Sequence, residues 1–136
     1  MTSLIAQVVQ ISVDKDGGVH PSKEWCAVDC GVPVNLDAIH AQMESSSVFG
    51  LSAAFRGEIT VNDGLVEQTN FGDYRVLRIN EVPVIDISHV KSTEAPGDIG
   101  EPATSCVMPS LTNAIFGATG TRIRKVPIRD QARDGA

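Results

Sequence analysis

Hairpin and helix signals follow one another in this chain without regular strand-helix-strand alternation, which predicts an α+β fold of hairpins and a mixed sheet packed with two main helices. Three observations carry that reading. A β-branched run near the start ends in a glycine turn, a long three-and-four spacing begins after Asn35, and a small-residue helical segment ends at Gly120.

Residues 4–13 hold Leu4, Ile5, Val8, Val9, Ile11 and Val13 and stop at Asp14-Lys15-Asp16-Gly17-Gly18, the first strand and turn of a hairpin. The return strand is predicted from Val19 to Val28, with Trp25 and Val28 supplying apolar bulk. Asp29-Cys30-Gly31-Val32-Pro33-Val34 is an irregular connection, in which Asp29 has an ordinary Asx role. Asn35 is a good N-cap and Asp37 falls in the first turn of the helix that follows. From Leu36, the positions Ile39, Met43, Ser46/Ser47, Gly50 and Ala54 step by three and four, so the helix runs to Phe55 and Gly57 closes it. Small residues from Ser45 to Gly50 leave room for close approach, by a packing element or by a cofactor.

Glu58 to Val61 and Leu65 to Thr69 flank Asn62-Asp63-Gly64, a second hairpin, and residues 70–74 are turn-like. Val82 to Val90 alternates, and Pro83 near its start suits a sheet edge. Pro109 is expected in the first turn of the second helix, which Leu111, Ala114, Ile115 and Ala118 continue to Gly120 at the C′ position. The domain is expected over residues 4–128, with residues 129–136 as a disordered tail.

With 136 residues, of which 42% are hydrophobic, the chain has the size and composition of one globular domain. Its formal charge of −6 argues against nucleic acid as a partner, since the basic residues cluster only at Arg122-Ile123-Arg124-Lys125, after a helix end. No apolar run reaches the roughly 18–20 residues that span a bilayer, and Met1-Thr2-Ser3 does not open a signal peptide. A soluble chain is expected, cytoplasmic or periplasmic. Cys26 and Cys30 share a strand face about 13 Å apart, too far to pair, and three thiols are too few for common zinc or iron–sulfur sites. Buried, inert thiols and no cysteine-held metal are the expectation. His20, His40 and His89 fall on a turn edge, a helix and a strand with no shared spacing, which suits structural or surface roles.

One loop stands out. In Pro96-Gly97-Asp98-Ile99-Gly100-Glu101-Pro102 a carboxylate sits between glycines and prolines, which together can aim a single side chain. Glu101 is the candidate catalytic residue; the plain alternative is an acid favoured by a helix N-terminus. Gln42, an amide near the small-residue stretch, can both donate and accept, toward a polar cofactor or a neighbouring loop. No nucleophile elbow, phosphate loop or dinucleotide fingerprint is present.

Taken in order, Ala27-Val28-Asp29-Cys30-Gly31, Asn35, Gln42-Met43-Glu44, Gly50-Leu51, Asn70-Phe71, Tyr74, Gly100-Glu101-Pro102, Asn113-Ala114-Ile115 and Ala118-Thr119-Gly120 resemble a known family. It is the C-terminal part of the molybdopterin-binding large subunit of molybdenum hydroxylases, the xanthine oxidase and aldehyde oxidoreductase (aldehyde oxidase) family. The branch it most resembles is the isoquinoline 1-oxidoreductase β-subunit type, over roughly Ile5 to Ile128.

The resemblance implies that Glu101 is the base beside molybdenum. There it takes a proton from a metal-bound hydroxide whose oxygen attacks an aldehyde or N-heteroaromatic carbon. Hydride then passes to a sulfido ligand, and iron–sulfur centres reoxidise the metal. Gln42 matches the glutamine that contacts the pterin, and Gly100 the backbone position that places the glutamate. The implied cofactor is molybdopterin carrying molybdenum, as the cytosine dinucleotide form; the implied partners are the remainder of the large subunit and an iron–sulfur small subunit. Asp98 stands where the family usually has glycine, and Ser45 and Ser46 where small glycines usually follow the Gln-x-Glu motif.

Because family subunits are several times longer, the expectation is a C-terminal fragment that binds no molybdenum and oxidises no aldehyde alone. It would instead be completed by a companion chain. A fragment of that kind exposes apolar surface, so homo-oligomerisation is expected of it. The competing reading is a non-enzymatic α+β domain that self-associates or binds a partner.

Overall fold

In the computed structural model, which describes residues 3–128 and 131–132, strands β1 (Leu4–Val13) and β2 (Val19–Asp29) form the expected hairpin. Its antiparallel register runs from Leu4 opposite Asp29 to Val13 opposite Val19, with a shift between Gln10 and Ile11. The Asp14 carboxylate closes the turn by accepting the N–H groups of Asp16 and Gly18 at 3.0 and 2.6 Å. Gly17 takes the left-handed conformation there.

Helix α1 (Leu36–Arg56) begins at Asn35, whose side-chain oxygen accepts the Ala38 N–H at 3.1 Å, and ends at Gly57. The predicted face is buried at Ile39, Met43, Ser46, Ser47, Gly50 and Ala54, while Leu36 lies exposed ahead of the packed turns. The second hairpin is shorter than expected, with β3 (Val61–Asn62) and β4 (Leu65–Val66) pairing over two residues each. Asp63 and Gly64 both adopt positive φ at its turn, as a two-residue hairpin loop requires. Residues 61–67 are all exposed, so no core extends the ladder, and Gln68 instead bonds Thr60 through its side chain.

Strand β5 (Val84–His89) lies parallel to β2 at the sheet edge, giving the order β1-β2-β5. A parallel neighbour needs a crossover, which α1 and the small hairpin provide. The last element, α2 (Pro102–Thr119), corrects the expectation for Pro109: Pro102 opens the helix and Pro109 lies inside it. Pro102 at the first position gives up no hydrogen bond, whereas Pro109 cannot donate to the Ser105 carbonyl. The helix continues through Pro109 because Ala103, Val107, Leu111 and Ile115, four apart, form one buried stripe across it. Gly120, left-handed at φ 75°, ends α2, and Arg122 stacks over the Phe116 ring.

Both helices pack on one face of the sheet. Val9, Leu51, Ala54, Val107, Leu111, Ile115 and Ile128 form one core cluster; Cys26, Val28, Cys30, Ile39, Met43 and Ala103 form a second. The opposite sheet face exposes Val8, Trp25 and Val84. Of the segment 129–136 expected as a tail, Gln131 and Ala132 are described: Gln131 donates to the carbonyls of Lys125, Pro127 and Ile128, and Ala132 joins the first cluster. The other six residues of that segment lie outside the described residues.

Candidate functional site

The glycine-proline loop is tied down before it reaches Glu101. Beyond β5 the chain stays beside the end of β2 through three backbone bonds: Val90 N–H to the Val28 carbonyl, Val32 N–H to Glu94, and Gly97 N–H to Cys30, at 2.8, 2.9 and 2.8 Å. Gly31 lies where these segments cross, at φ 74°, its N–H held by the Asp29 carboxylate at 3.1 Å. A side chain there would push into the backbone of residues 94–95, since a Cβ would lie 2.8 Å from the Glu94 carbonyl oxygen. The Asx role expected of Asp29 is thus to shape the turn that receives the loop. Ser3 donates its hydroxyl to the Asp98 carbonyl, and the Asp98 carboxylate accepts the Gly100 N–H at 3.1 Å. Ile99 packs against the cluster that contains Met43 and Ala103.

Glu101 occupies the N-cap position of α2 with its side chain exposed, making no capping bond; its carbonyl accepts the Thr104 N–H at 3.2 Å. Gln42 is exposed on α1, and its carbonyl accepts the Ser46 hydroxyl at 2.8 Å. Among the described residues neither the Gln42 amide nor the Glu101 carboxylate has a hydrogen-bond partner. Gly100 has open surroundings: the nearest atom to a Cβ there would be Asp98 Oδ1 at 3.5 Å, ordinary contact.

The helices bring Gln42 and Glu101 to one end of the fold. Ser46 meets Thr104, and Gly50 meets Thr104 and Val107, so α1 and α2 advance in the same sense along their contact. Gln42 precedes Ser46 by one turn and Glu101 precedes Thr104 by one turn, so both lie at the leading end of the pair. The small-residue stretch is thereby accounted for by packing, with Gly50 against α2. Ser46 is buried with its hydroxyl on the Gln42 and Met43 carbonyls, whereas Ser45 faces away from α2.

Ser45 instead lines a cleft of about 610 Å³ with Glu44, Val48, Phe49, Tyr74 and Leu77. Among the described residues no group of three or more His, Cys, Asp or Glu could hold a metal ion. Cys26 and Cys30 are buried and Cys106 half-buried, all as free thiols; burial, with the Glu24 charge nearby, pushes the Cys26 thiol up to about 12.

Sequence reasoning missed a second polar constellation. Glu24 is fully buried beneath α1, where its Oε1 accepts Gln7 Nε2 at 2.6 Å and the Ser47 hydroxyl at 2.7 Å. Gln7 Nε2 also reaches Ser47 Oγ at 3.1 Å. Burial pushes the Glu24 carboxyl above the ordinary range, against the opposing pull of the Ser47 and Gln7 bonds. The signal was present in the strand period: Glu24 is in phase with Cys26 and Val28, and Gln7 with Ile5 and Val9.

The arrangement defines a class: a single-sided sheet backed by two helices whose leading ends present an unengaged amide and an unengaged carboxylate to one side. Residues 1–83 match the family described as the molybdopterin cofactor-binding domain, and the chain belongs to that family. It is 38% identical over 123 residues to the membrane-bound aldehyde dehydrogenase [pyrroloquinoline-quinone] of Gluconacetobacter polyoxogenes, a match covering 90% of this chain and 16% of that protein. It is 35% identical over 108 residues to isoquinoline 1-oxidoreductase subunit beta of Brevundimonas diminuta, covering 79% and 14%. The aldehyde oxidoreductase structure from Desulfovibrio desulfuricans superposes with a TM-score of 0.84 at 18% identity, over 98% of this chain and 15% of that one, a likeness of fold. The chain thus spans 14–16% of the length of these curated relatives. Among the described residues no helix is long and apolar enough to cross a membrane.

Proposed function

We propose that this chain forms one wall of the molybdopterin site of a molybdenum hydroxylase large subunit, with Glu101 as general base, Gln42 as a hydrogen-bonding contact to the pterin and Gly100 as the backbone position left open for it. The single observation that carries the reading is the placement of Gln42 and Glu101, exposed and unengaged, at the same end of the helix pair in a chain of the molybdopterin-binding family. The residues fit such a group on one side: an amide offers a donor and an acceptor to a polar ring system, and open space beside Gly100 admits a close neighbour.

When bound, the cofactor supplies the redox chemistry by which an aldehyde or N-heteroaromatic carbon gains oxygen from water. Glu101 accepts the proton released in that step, a role that contributes about 10²–10⁴-fold. The tied loop from Glu94 to Gly100 holds its backbone in place. Because Glu101 is exposed in this chain, the walls that exclude water come from the remainder of the large subunit. Electrons leave through an iron–sulfur small subunit in this reading. The isoquinoline-type branch is the finer assignment, motivated by the Brevundimonas relative.

The test is co-expression of this chain with an upstream large-subunit portion and an iron–sulfur subunit, followed by metal analysis and aldehyde or N-heterocycle turnover. The isolated chain is expected to carry no molybdenum, and the assembly to carry it. In the assembly Glu101→Gln keeps the metal while turnover falls by about 10²–10⁴-fold. The quinone named for the Gluconacetobacter relative is assayed alongside; an assembly loaded with quinone and free of molybdenum overturns the reading. A second reading, a non-enzymatic self-associating domain, is motivated by the exposed sheet face with Val8, Trp25 and Val84. It is favoured by stable oligomers of a chain that no companion ever makes active.

A further inference from the structure

We propose that Thr104 is a positioning residue that fixes the register of the two helix ends carrying Gln42 and Glu101. The inference rests on the site reading above and adds a residue with no place in the motifs that led to it.

Thr104 Oγ1 donates across the helix interface to the Ser46 carbonyl at 3.1 Å. That carbonyl belongs to an α1 interior and can accept a second bond on its other lone pair, so the link locks rotation and sliding without opening the helix. Ser46 cannot supply the link itself, because its hydroxyl is turned back onto the Gln42 and Met43 carbonyls at 2.8 and 3.1 Å. One turn further on, the helices approach backbone to backbone: a Cβ on Gly50 would lie 2.8 Å from the Thr104 carbonyl oxygen. Thr104 is therefore held at both its hydroxyl and its carbonyl edge.

Each anchor is joined to a site residue by one hydrogen bond. The Thr104 N–H is on the Glu101 carbonyl at 3.2 Å, and the Ser46 hydroxyl is on the Gln42 carbonyl. A slip of Thr104 relative to Ser46 thus becomes a slip of Glu101 relative to Gln42. Misplacement of a reacting group by about 1 Å costs on the order of 10²-fold in rate.

Thr104→Val keeps the shape and deletes the donor; Thr104→Ser keeps the donor. In amide NMR spectra of the 136-residue chain, the valine variant is expected to shift the signals of Glu101, Ala103 and Thr104 together with those of Gln42 to Ser46. Hydrogen exchange at Thr104, whose N–H is held by the Glu101 carbonyl, should rise about tenfold, while the β1 and β2 amides stay as in wild type. The serine variant restores the wild-type pattern. Unchanged site signals in the valine variant, or a serine variant that behaves like valine, overturn the proposal.

In the assembled, cofactor-loaded enzyme the valine variant lowers kcat by about 10–10²-fold with KM held within about twofold, and serine rescues it. A loss confined to KM counts against positioning. An assembled wild type without molybdenum-dependent turnover sinks the site reading instead, and the NMR arm still decides whether Thr104 sets the register.

Discussion

Replacing Glu24 by glutamine separates the cost of burying a charge from the cost of burying a polar shape. The Glu24 carboxyl has no solvent exposure, and its Oε2 and the neighbouring Gln7 Oε1 are both buried acceptors without a donor. Burial is the main reason the Glu24 carboxyl is raised, and a proton on Oε2 adds to it by turning one of these acceptors into a donor.

Because burial raises the folded carboxyl above its unfolded value, the folded chain holds the proton more tightly. The stability this contributes is complete below the unfolded carboxylate pKa of about 4.3, is lost as pH rises toward the folded value, and levels off above it. The limiting slope in that window is about 1.4 kcal/mol per pH unit. Glu24→Gln keeps the hydrogen-bonding shape and removes the slope. Urea unfolding from pH 4 to 8 should therefore show the two proteins within about 1 kcal/mol at pH 4 and the variant gaining on wild type as pH rises. Glu24→Ala, which leaves the Ser47 hydroxyl without its acceptor and Gln7 Nε2 with Ser47 alone, should lie about 1–3 kcal/mol below Glu24→Gln at every pH. Parallel curves for wild type and Glu24→Gln across the range would refute the reasoning, since no other titrating group differs between them.

Gly31→Ala forces a Cβ into the left-handed region and against the backbone of residues 94–95. It should cost about 2–4 kcal/mol in chemical denaturation and release the Val32 and Gly97 amides to exchange. Gly100→Ala should leave the isolated chain within about 0.5 kcal/mol of wild type, because its nearest contact would be 3.5 Å away, yet reduce molybdenum loading of the assembled enzyme. Asn35→Ala removes the cap on Ala38 and should lower stability by about 0.5–2 kcal/mol in the same denaturation assay.

The parts of the fold that were legible in the sequence are those set by local chemistry. Asn35 and Gly57 bound α1 because caps are decided within a few residues, and the Asp14 turn is closed by its own carboxylate. The start of α2 was misjudged because Pro109 reads locally as a helix opener. Its position is decided by a buried stripe from Ala103 to Ile115, which pays off only against α1 and the sheet. The length of the second hairpin was overestimated for the complementary reason: its alternation meets no core. At the site, the loop glycines and Glu101 were visible as composition. The roles of Thr104 and Gly31 were not legible, because they lie in contacts with Ser46 and Ala95, 58 residues away for the first.

The exposure of Gln42 and Glu101 and the order beneath them are two sides of one arrangement. Met43, next to Gln42, and Ala103, two residues after Glu101, are both fully buried in the cluster that Ile99 also packs against. Backbone on either side of each polar side chain is therefore anchored in the core, while the side chains themselves face away from it. A carboxylate exposed to water gives up little by having no partner, and its fixed backbone means that a later neighbour meets it without first having to order the loop. Gln42 and Glu101 thus stand exposed on backbone anchored in a packed core. A self-sufficient pocket would have placed apolar walls around Glu101. Here Glu101 stands exposed at the N-cap of α2, and large exposed apolar side chains are spread over the surface, from Val8, Trp25 and Val84 on the outer sheet face to Phe49 on α1 and Val34 and Leu36 at its start.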